Sequence, residues 1–354
     1  MNKIINTLKK RKSIPLDKFI NLSLYDKKFG YYMKNNPFGK DGDFITSPMI
    51  SNLFGEMIAV WCVAFWEHIG KPKKILVVEL GPGDGSLCKD LLKTFEQFKD
   101  FYNSLEINLL EISSSLEKIQ KKKINNKKVK WIKKIKEINY GPVIFLANEF
   151  FDALPIKQIF KKKKLFFERH VSLSKNCKKI KFLNKKANNN LVKHVRNLNL
   201  ISNGDTIEYP LEAQKFLKFI AKKIDKFDGG LLAFDYGYTD NKNRDTLQSL
   251  KKHKYMDIFS QPGYSDITSH INFKLFHKIL SENNLDVEKI IKQSEFLKKI
   301  GILERANILS QKMTFKSKAN MFYRLKRLLD PKEMGNLFKV IFAQKKGGNF
   351  SLGF

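Results

Sequence analysis

The stretch that most constrains the fold is residues 75–91, Ile-Leu-Val-Val-Glu-Leu-Gly-Pro-Gly-Asp-Gly-Ser-Leu-Cys-Lys-Asp-Leu. Residues 75–80 form a short run of branched apolar residues, as a strand buried on both faces requires. Gly81, Gly83 and Gly85 follow at alternate positions, with Pro82 between the first two. From Ser86 the sequence reads as a helix, with Leu87, Leu91 and Leu92 on one face. Strand, glycine turn and helix together predict the first unit of a doubly wound α/β sheet, whose ligands sit at the carboxyl ends of the strands. Glycine there permits a tight turn and a close ligand approach. Glu79 stands two residues before the first glycine. A second apolar run, residues 107–110, ends in Glu111. An acid at the second strand end can accept hydrogen bonds from both hydroxyls of a ribose, so the pattern predicts a nucleoside cofactor site. The spacing G-x-G-x-G brings the third glycine one position too early for a dinucleotide fingerprint.

Charge is the next constraint. The 354 residues carry a net charge of +32, from 67 Lys+Arg against 35 Asp+Glu. Such an excess can mark a nucleic-acid or anionic-membrane partner. Here the lysines are spread along the whole chain with many Asn and Ile, which reads as a composition bias on solvated faces. No RNA-module aromatic signature interleaves with them, so nucleic acid is not the expected partner. Cys62, Cys88 and Cys177 are scattered and odd in number, giving neither a disulfide framework nor zinc spacing. A reducing compartment fits. The apolar stretch 57–66 is about half a membrane span and reads as a buried helix. The basic N-terminus lacks the apolar core and cleavage site of a secretory signal. The expected location is the cytoplasm of a bacterium, or the mitochondrial matrix of a eukaryote.

Three further places are dense in reactive groups. The loop Phe38-Gly39-Lys40-Asp41-Gly42-Asp43-Phe44-Ile45-Thr46-Ser47-Pro48 offers Asp43, Phe44, Thr46 and Ser47 to a ligand or substrate, as a lid. Ser47 and Pro48 also suit the N-cap and first position of a helix. A buried strand over 143–147 ends in Asn148-Glu149-Phe150-Phe151-Asp152-Ala153-Leu154-Pro155, two carboxylates and an amide where such folds do their chemistry. Another, over 231–234, ends in Asp235. His270 is a candidate acid–base group, as is His253. Residues 114–128 read as a lysine-rich solvated face. No metal-binding histidine motif is present, so no metal is expected. The chain divides into an N-terminal helical and lid extension (1–70), the first part of the cofactor-binding core (71–155), an inserted β-hairpin or flap (156–205), and the rest of the core with C-terminal helices (206–354).

The motif Glu79-Leu80-Gly81-Pro82-Gly83-Asp84-Gly85 resembles motif I of class I S-adenosylmethionine-dependent methyltransferases. The wider set is similar to the MidA-type family of bacteria and mitochondria. It comprises Gly42-Asp43-Phe44-Ile45-Thr46-Ser47-Pro48, Phe54-Gly55-Glu56, Asn148 through Pro155, Asp235-Tyr236-Gly237-Tyr238, Gly263 through His270, Gln293-Ser294-Glu295-Phe296-Leu297 and Met334-Gly335. The order is the family's and spans essentially the whole chain. Asp84 departs from it, where many members carry a basic residue. The resemblance implies a Rossmann-like sheet of seven strands with S-adenosyl-L-methionine as cofactor. It also implies methylation of a protein arginine, in mitochondrial members during assembly of respiratory complex I. On that basis Glu79, Gly81, Pro82, Gly83, Gly85, Glu111 and Asn148 hold the cofactor. Glu149 and Asp152, with Asn148 and Asp235, serve catalysis, and Asp43, Phe44, Thr46, Ser47, Glu56 and His270 line the substrate side. The partner is a protein, with a complex I subunit as the family precedent, and a homodimer is one option for assembly. Two alternatives stay open: a cofactor-binding assembly factor with little turnover, or methyl transfer to another nitrogen or an oxygen.

Overall fold

The structure is a computed structural model that describes residues 2–34, 37, 46–176, 179–198, 206–240, 242, 244–252 and 254–354. The chain forms two units, each assembled from three segments. The larger comprises Phe38–Phe150, Leu217–Thr239 and Ile271–Phe354; the smaller comprises Met1–Pro37, Phe151–Phe216 and Asp240–His270.

The larger unit is built on a sheet whose main strands are β1 (Ile75–Leu80), β2 (Leu105–Leu110), β3 (Val129–Ile132), β4 (Val143–Asn148), β5 (Gly229–Tyr238), β6 (Leu285–Val287) and β7 (Phe338–Lys345). Their spatial order is β6-β7-β5-β4-β1-β2-β3. The strands from β5 to β3 are parallel, and β7 runs antiparallel between β5 and β6. All six residues of β1 are buried, as expected of a strand covered on both faces. Helix α1 (Asn52–His68) covers the sheet with Leu53, Phe54, Met57, Ile58, Trp61, Phe65 and Trp66, and the Ser51 hydroxyl caps it by accepting from the Leu53 N–H. The buried apolar run 57–66 is therefore a core helix, and no helix among the described residues is long and apolar enough to cross a membrane. Helix α2 (Ser86–Phe95) follows the glycine turn and buries Leu87, Cys88, Leu91, Leu92 and Phe95.

Helix α3 (Ser114–Ile124) differs from the solvated face expected of residues 114–128. Leu116, Gln120 and Ile124, one helical turn apart, are all buried, and the lysines take the other faces.

Where β4 and β5 begin, Gly229 lies opposite Val143 with φ +121°, and a Cβ there would sit 1.9 Å from the Val143 carbonyl oxygen. Gly229→Ala should therefore destabilise the fold by more than about 2 kcal/mol, read as the midpoint of urea unfolding. An unchanged midpoint would show that the two central strands can separate at this end without cost.

The smaller unit holds an antiparallel sheet in the order Ser13–Pro15, Leu165–Leu173, Lys157–Lys162, Thr206–Tyr209, with Ile180–Lys186 also on Leu165–Leu173. The predicted hairpin is its centre: Lys162 pairs with Leu165 across a two-residue turn. Among the described residues the N-terminal stretch supplies the large sheet with no strand, but Ser13–Pro15 extends the small one. Half-buried Lys157 bridges Asp17 at 3.0 Å and Glu168 at 2.6 Å, so its charge is matched on both sides.

Candidate functional site

The order of the large sheet reverses between β1 and β4, and Leu80 lies opposite Ala147. A crevice forms at the carboxyl ends of strands at such a reversal. The glycine turn and Asn148-Glu149 are therefore neighbours in space although far apart in sequence. Gly81 has φ +63°, and a Cβ on it would meet the Phe150 ring at 2.8 Å. Both the backbone conformation and the close approach of Phe150 thus require glycine. The Gly85 N–H closes the turn on the Pro82 carbonyl at 2.8 Å. Asp84 accepts from the Ser86 N–H at 3.0 Å and pairs with Lys123 at 2.5 Å, so this departure from the family pattern steadies the start of α2.

Glu79 is buried on β1, and its Oε2 has no hydrogen-bond partner. Burial, with the nearby charges of Asp84 and Glu111 adding to it, pushes its carboxyl up to about 8. Glu111 stands past the end of β2. Its Oε1 accepts from the Ser113 N–H at 2.7 Å and its Oε2 from Gln120 Nε2 at 2.9 Å. Burial raises its carboxyl, and these two donors oppose the rise.

At the end of β4, Asn148 donates through Nδ2 to Glu149 Oε1 at 3.1 Å, while its buried Oδ1 has no partner. Glu149 adopts φ +53°, an uncommon conformation for a non-glycine residue, and its N–H donates to the Phe234 carbonyl at 2.9 Å. Its Oε1 also accepts from the Ser47 N–H at 3.2 Å. Phe234 lies opposite Asn148, which places buried Asp235 beside Glu149 on the neighbouring strand. The helical turn Ser47–Ile50 has Thr46 at its N-cap position, one before the expected Ser47, and no side-chain cap hydrogen bond. Ser47 is engaged otherwise, its N–H with Glu149 and its hydroxyl with Gln293 at 3.5 Å.

The carboxyl end of the large sheet thus gathers Glu79, Gly81, Pro82, Gly83, Gly85, Glu111, Asn148, Glu149, Asp235, Thr46 and Ser47. Glu56 belongs to the same unit, on α1. It pairs with Arg305 at 2.8 Å, and its charge adds to the burial that raises Asp90 to about 6. Asp152 and His270 belong to the smaller unit. There the Asp152 carbonyl accepts from the Ser269 N–H at 3.1 Å, and the His270 N–H donates to Thr246 Oγ1 at 2.8 Å. Asp43, Phe44 and His253 lie outside the described residues. Gln120 had no place among the expected site residues. The sequence signal for it was a polar residue at the midpoint of an i, i+4, i+8 row with Leu116 and Ile124.

A doubly wound sheet of seven main strands, with one antiparallel strand among them and a glycine turn after β1, defines a Rossmann-like, class I methyltransferase fold. Residues 57–291 match a family model described as S-adenosyl-L-methionine-dependent methyltransferase, and the chain belongs to that family. It is 30% identical over 373 residues to the protein arginine methyltransferase NDUFAF7, mitochondrial, of Xenopus laevis, covering 96% of this chain and 83% of that one. The human protein of the same name is 28% identical over 351 residues, covering 91% and 78%. In fold, the chain matches a Burkholderia thailandensis protein crystallised with S-adenosyl-homocysteine, with TM-score 0.84 and 22% identity over 99% of this chain and 93% of that one. The cofactor of the family is S-adenosyl-L-methionine. The residues present fit it: an ammonium needs acceptors, and Glu79 Oε2 and Asn148 Oδ1 are buried acceptors without partners at adjacent strand ends.

Proposed function

We propose that this methyltransferase acts on a guanidinium nitrogen of a protein arginine, with Glu149 as the group that orients and deprotonates it. The observation that carries this reading is Glu149 itself. A carboxylate on a strained backbone at the end of a central strand is held by the Ser47 N–H and Asn148 Nδ2, so its position is set before any substrate arrives.

When bound, the cofactor supplies an activated methyl on a sulfonium, so the chain's task is alignment of an incoming nucleophile. Gly81, Pro82, Gly83 and Gly85 would form the floor under its amino-acid part. Glu79 and Asn148 would accept from its ammonium, and Glu111 from the ribose hydroxyls. An arginine side chain is protonated in water and presents donors in a rigid fork that matches a carboxylate. Glu149 would take two of these donors, localise charge away from the reacting nitrogen and accept its proton. Asp235, on the next strand, is a second carboxyl group beside it. The names of the relatives support arginine as the acceptor, and the resemblance suggests a respiratory complex I subunit as the protein.

The test is methyl transfer from labelled cofactor to paired peptides that differ only in carrying arginine or lysine. Label on arginine alone is the expected result. Label on lysine or on a hydroxyl would replace the guanidinium reading by another methyl acceptor. Cofactor binding without transfer to any protein fraction would favour an assembly factor. Mass spectrometry of the proteome with and without the gene would then identify the methylated protein.

A further inference from the structure

We propose that Gln120 is a positioning residue that sets Glu111 for the ribose and ties it to the glycine turn, so that the two halves of the cofactor site are held as one piece. The inference rests on the reading of Glu111 as the ribose acceptor.

Gln120 is fully buried in α3. Its Nε2 donates to the Gly83 carbonyl at 2.8 Å and to Glu111 Oε2 at 2.9 Å. Its Oε1 accepts from the Trp131 indole N–H at 2.9 Å. Both amide protons are therefore used, and so is the carbonyl. The orientation of the amide is not interchangeable. Rotating it by half a turn would set its oxygen against a carbonyl and a carboxylate, and its NH₂ against an indole that can only donate. Trp131 thus fixes the amide, the amide fixes one oxygen of Glu111, and the Ser113 N–H fixes the other at 2.7 Å. Each carboxylate oxygen keeps acceptor capacity, because one oxygen can accept more than one hydrogen bond. The carboxylate plane is locked while a lone pair on each side remains available for a hydroxyl. The same amide holds the carbonyl of Gly83, in the middle of the turn that would carry the amino-acid part. Without Gln120, Glu111 would keep a single donor and its plane could rotate, and the Gly83 carbonyl would lose its link to α3.

A residue that merely filled space would affect all ligands alike. A residue that positions Glu111 affects those with a complete ribose. The experiment compares S-adenosylhomocysteine with S-(2′-deoxyadenosyl)homocysteine by titration calorimetry on wild type, Glu111→Ala, Gln120→Met and Trp131→Phe. Wild type should prefer the intact ribose by about tenfold to 100-fold, the worth of one hydrogen bond to a charged group. Gln120→Met should lose most of that preference. It should weaken S-adenosylhomocysteine by about tenfold more than it weakens the deoxy ligand. Trp131→Phe removes only the indole donor and should lose part of the preference. It carries the test if Gln120→Met does not fold. Retention of the wild-type preference in both variants would overturn the proposal. If Glu111→Ala also kept the preference, the ribose reading of Glu111 would fall, and the role of Gln120 with it. Loss of preference in Glu111→Ala but in neither of the others would leave Glu111 standing and reject Gln120 alone.

Discussion

Replacing Glu149 by glutamine should lower kcat for methyl transfer by about 100-fold to 10,000-fold, the range seen when a positioned acid–base group is removed. Binding of S-adenosylhomocysteine should change by less than about threefold, because the substitution is nearly isosteric and removes only charge. The amide can still accept through its oxygen from the Ser47 N–H and from Asn148 Nδ2. It cannot take a proton from a guanidinium, and its NH₂ would oppose the donors that an arginine brings. Glu149→Asn tests the same position from the other side. Asparagine tolerates φ near +53° better than glutamate does, which offsets the loss of the Ser47 and Asn148 hydrogen bonds, so the variant should stay folded while remaining inactive. Wild-type turnover in both variants would remove Glu149 from catalysis and pass the role to another carboxylate. A loss of stability equal to the loss of activity would make it a structural residue.

The second large effect concerns pH. Glu79 has its carboxyl raised from the ordinary 4.5 to about 8, with burial the main cause and the charges of Asp84 and Glu111 adding to it. The folded protein therefore holds this proton more tightly than the unfolded chain does. Its contribution to stability is fully present below the ordinary value and is lost as pH rises towards 8. The free protein should lose stability on the order of a few kcal/mol between pH 5 and pH 9 through this group. Glu79→Gln should flatten that dependence, as read from thermal unfolding across the range. Binding adds a sign of its own. A ligand ammonium beside Glu79 favours the ionised carboxyl, so between pH 6 and 7 the cofactor should expel close to one proton on binding. Calorimetry in two buffers of different ionisation enthalpy measures it. The same proton release in Glu79→Gln would show that it originates elsewhere.

The glycine turn and the acid past the second strand were legible in the sequence because their placement depends on local pattern. The glycine turn must follow a buried strand, and an acid at the next strand end needs only a second apolar run to place it. The sheet came through for the same reason: runs such as 143–147 and 231–234 are apolar without interruption, as central parallel strands must be. Two features did not come through. Gln120 was hidden among lysines, because its partners, Gly83, Glu111 and Trp131, come from three other elements and no periodicity encodes an amide held at three points. The positive φ of Glu149 was equally silent. Nothing in Asn148-Glu149-Phe150 requires a left-handed residue until β5 supplies the Phe234 carbonyl for the Glu149 N–H. The passage between units at Phe150 and Phe151 lies within a pair of identical aromatic residues, so no change of composition marks it.

The strand order carries a consequence for the making of the protein. Strands β1 to β4 can pair as soon as residue 148 has been synthesised, and β4 then waits for β5 at residue 229 with one edge bare. β5 in turn waits for β7, whose residues 338–345 must enter between it and β6. For most of its time on the ribosome the growing chain therefore exposes an apolar strand edge, the type of surface that pairs with the wrong partner. The long separations between paired strands also make for slow folding.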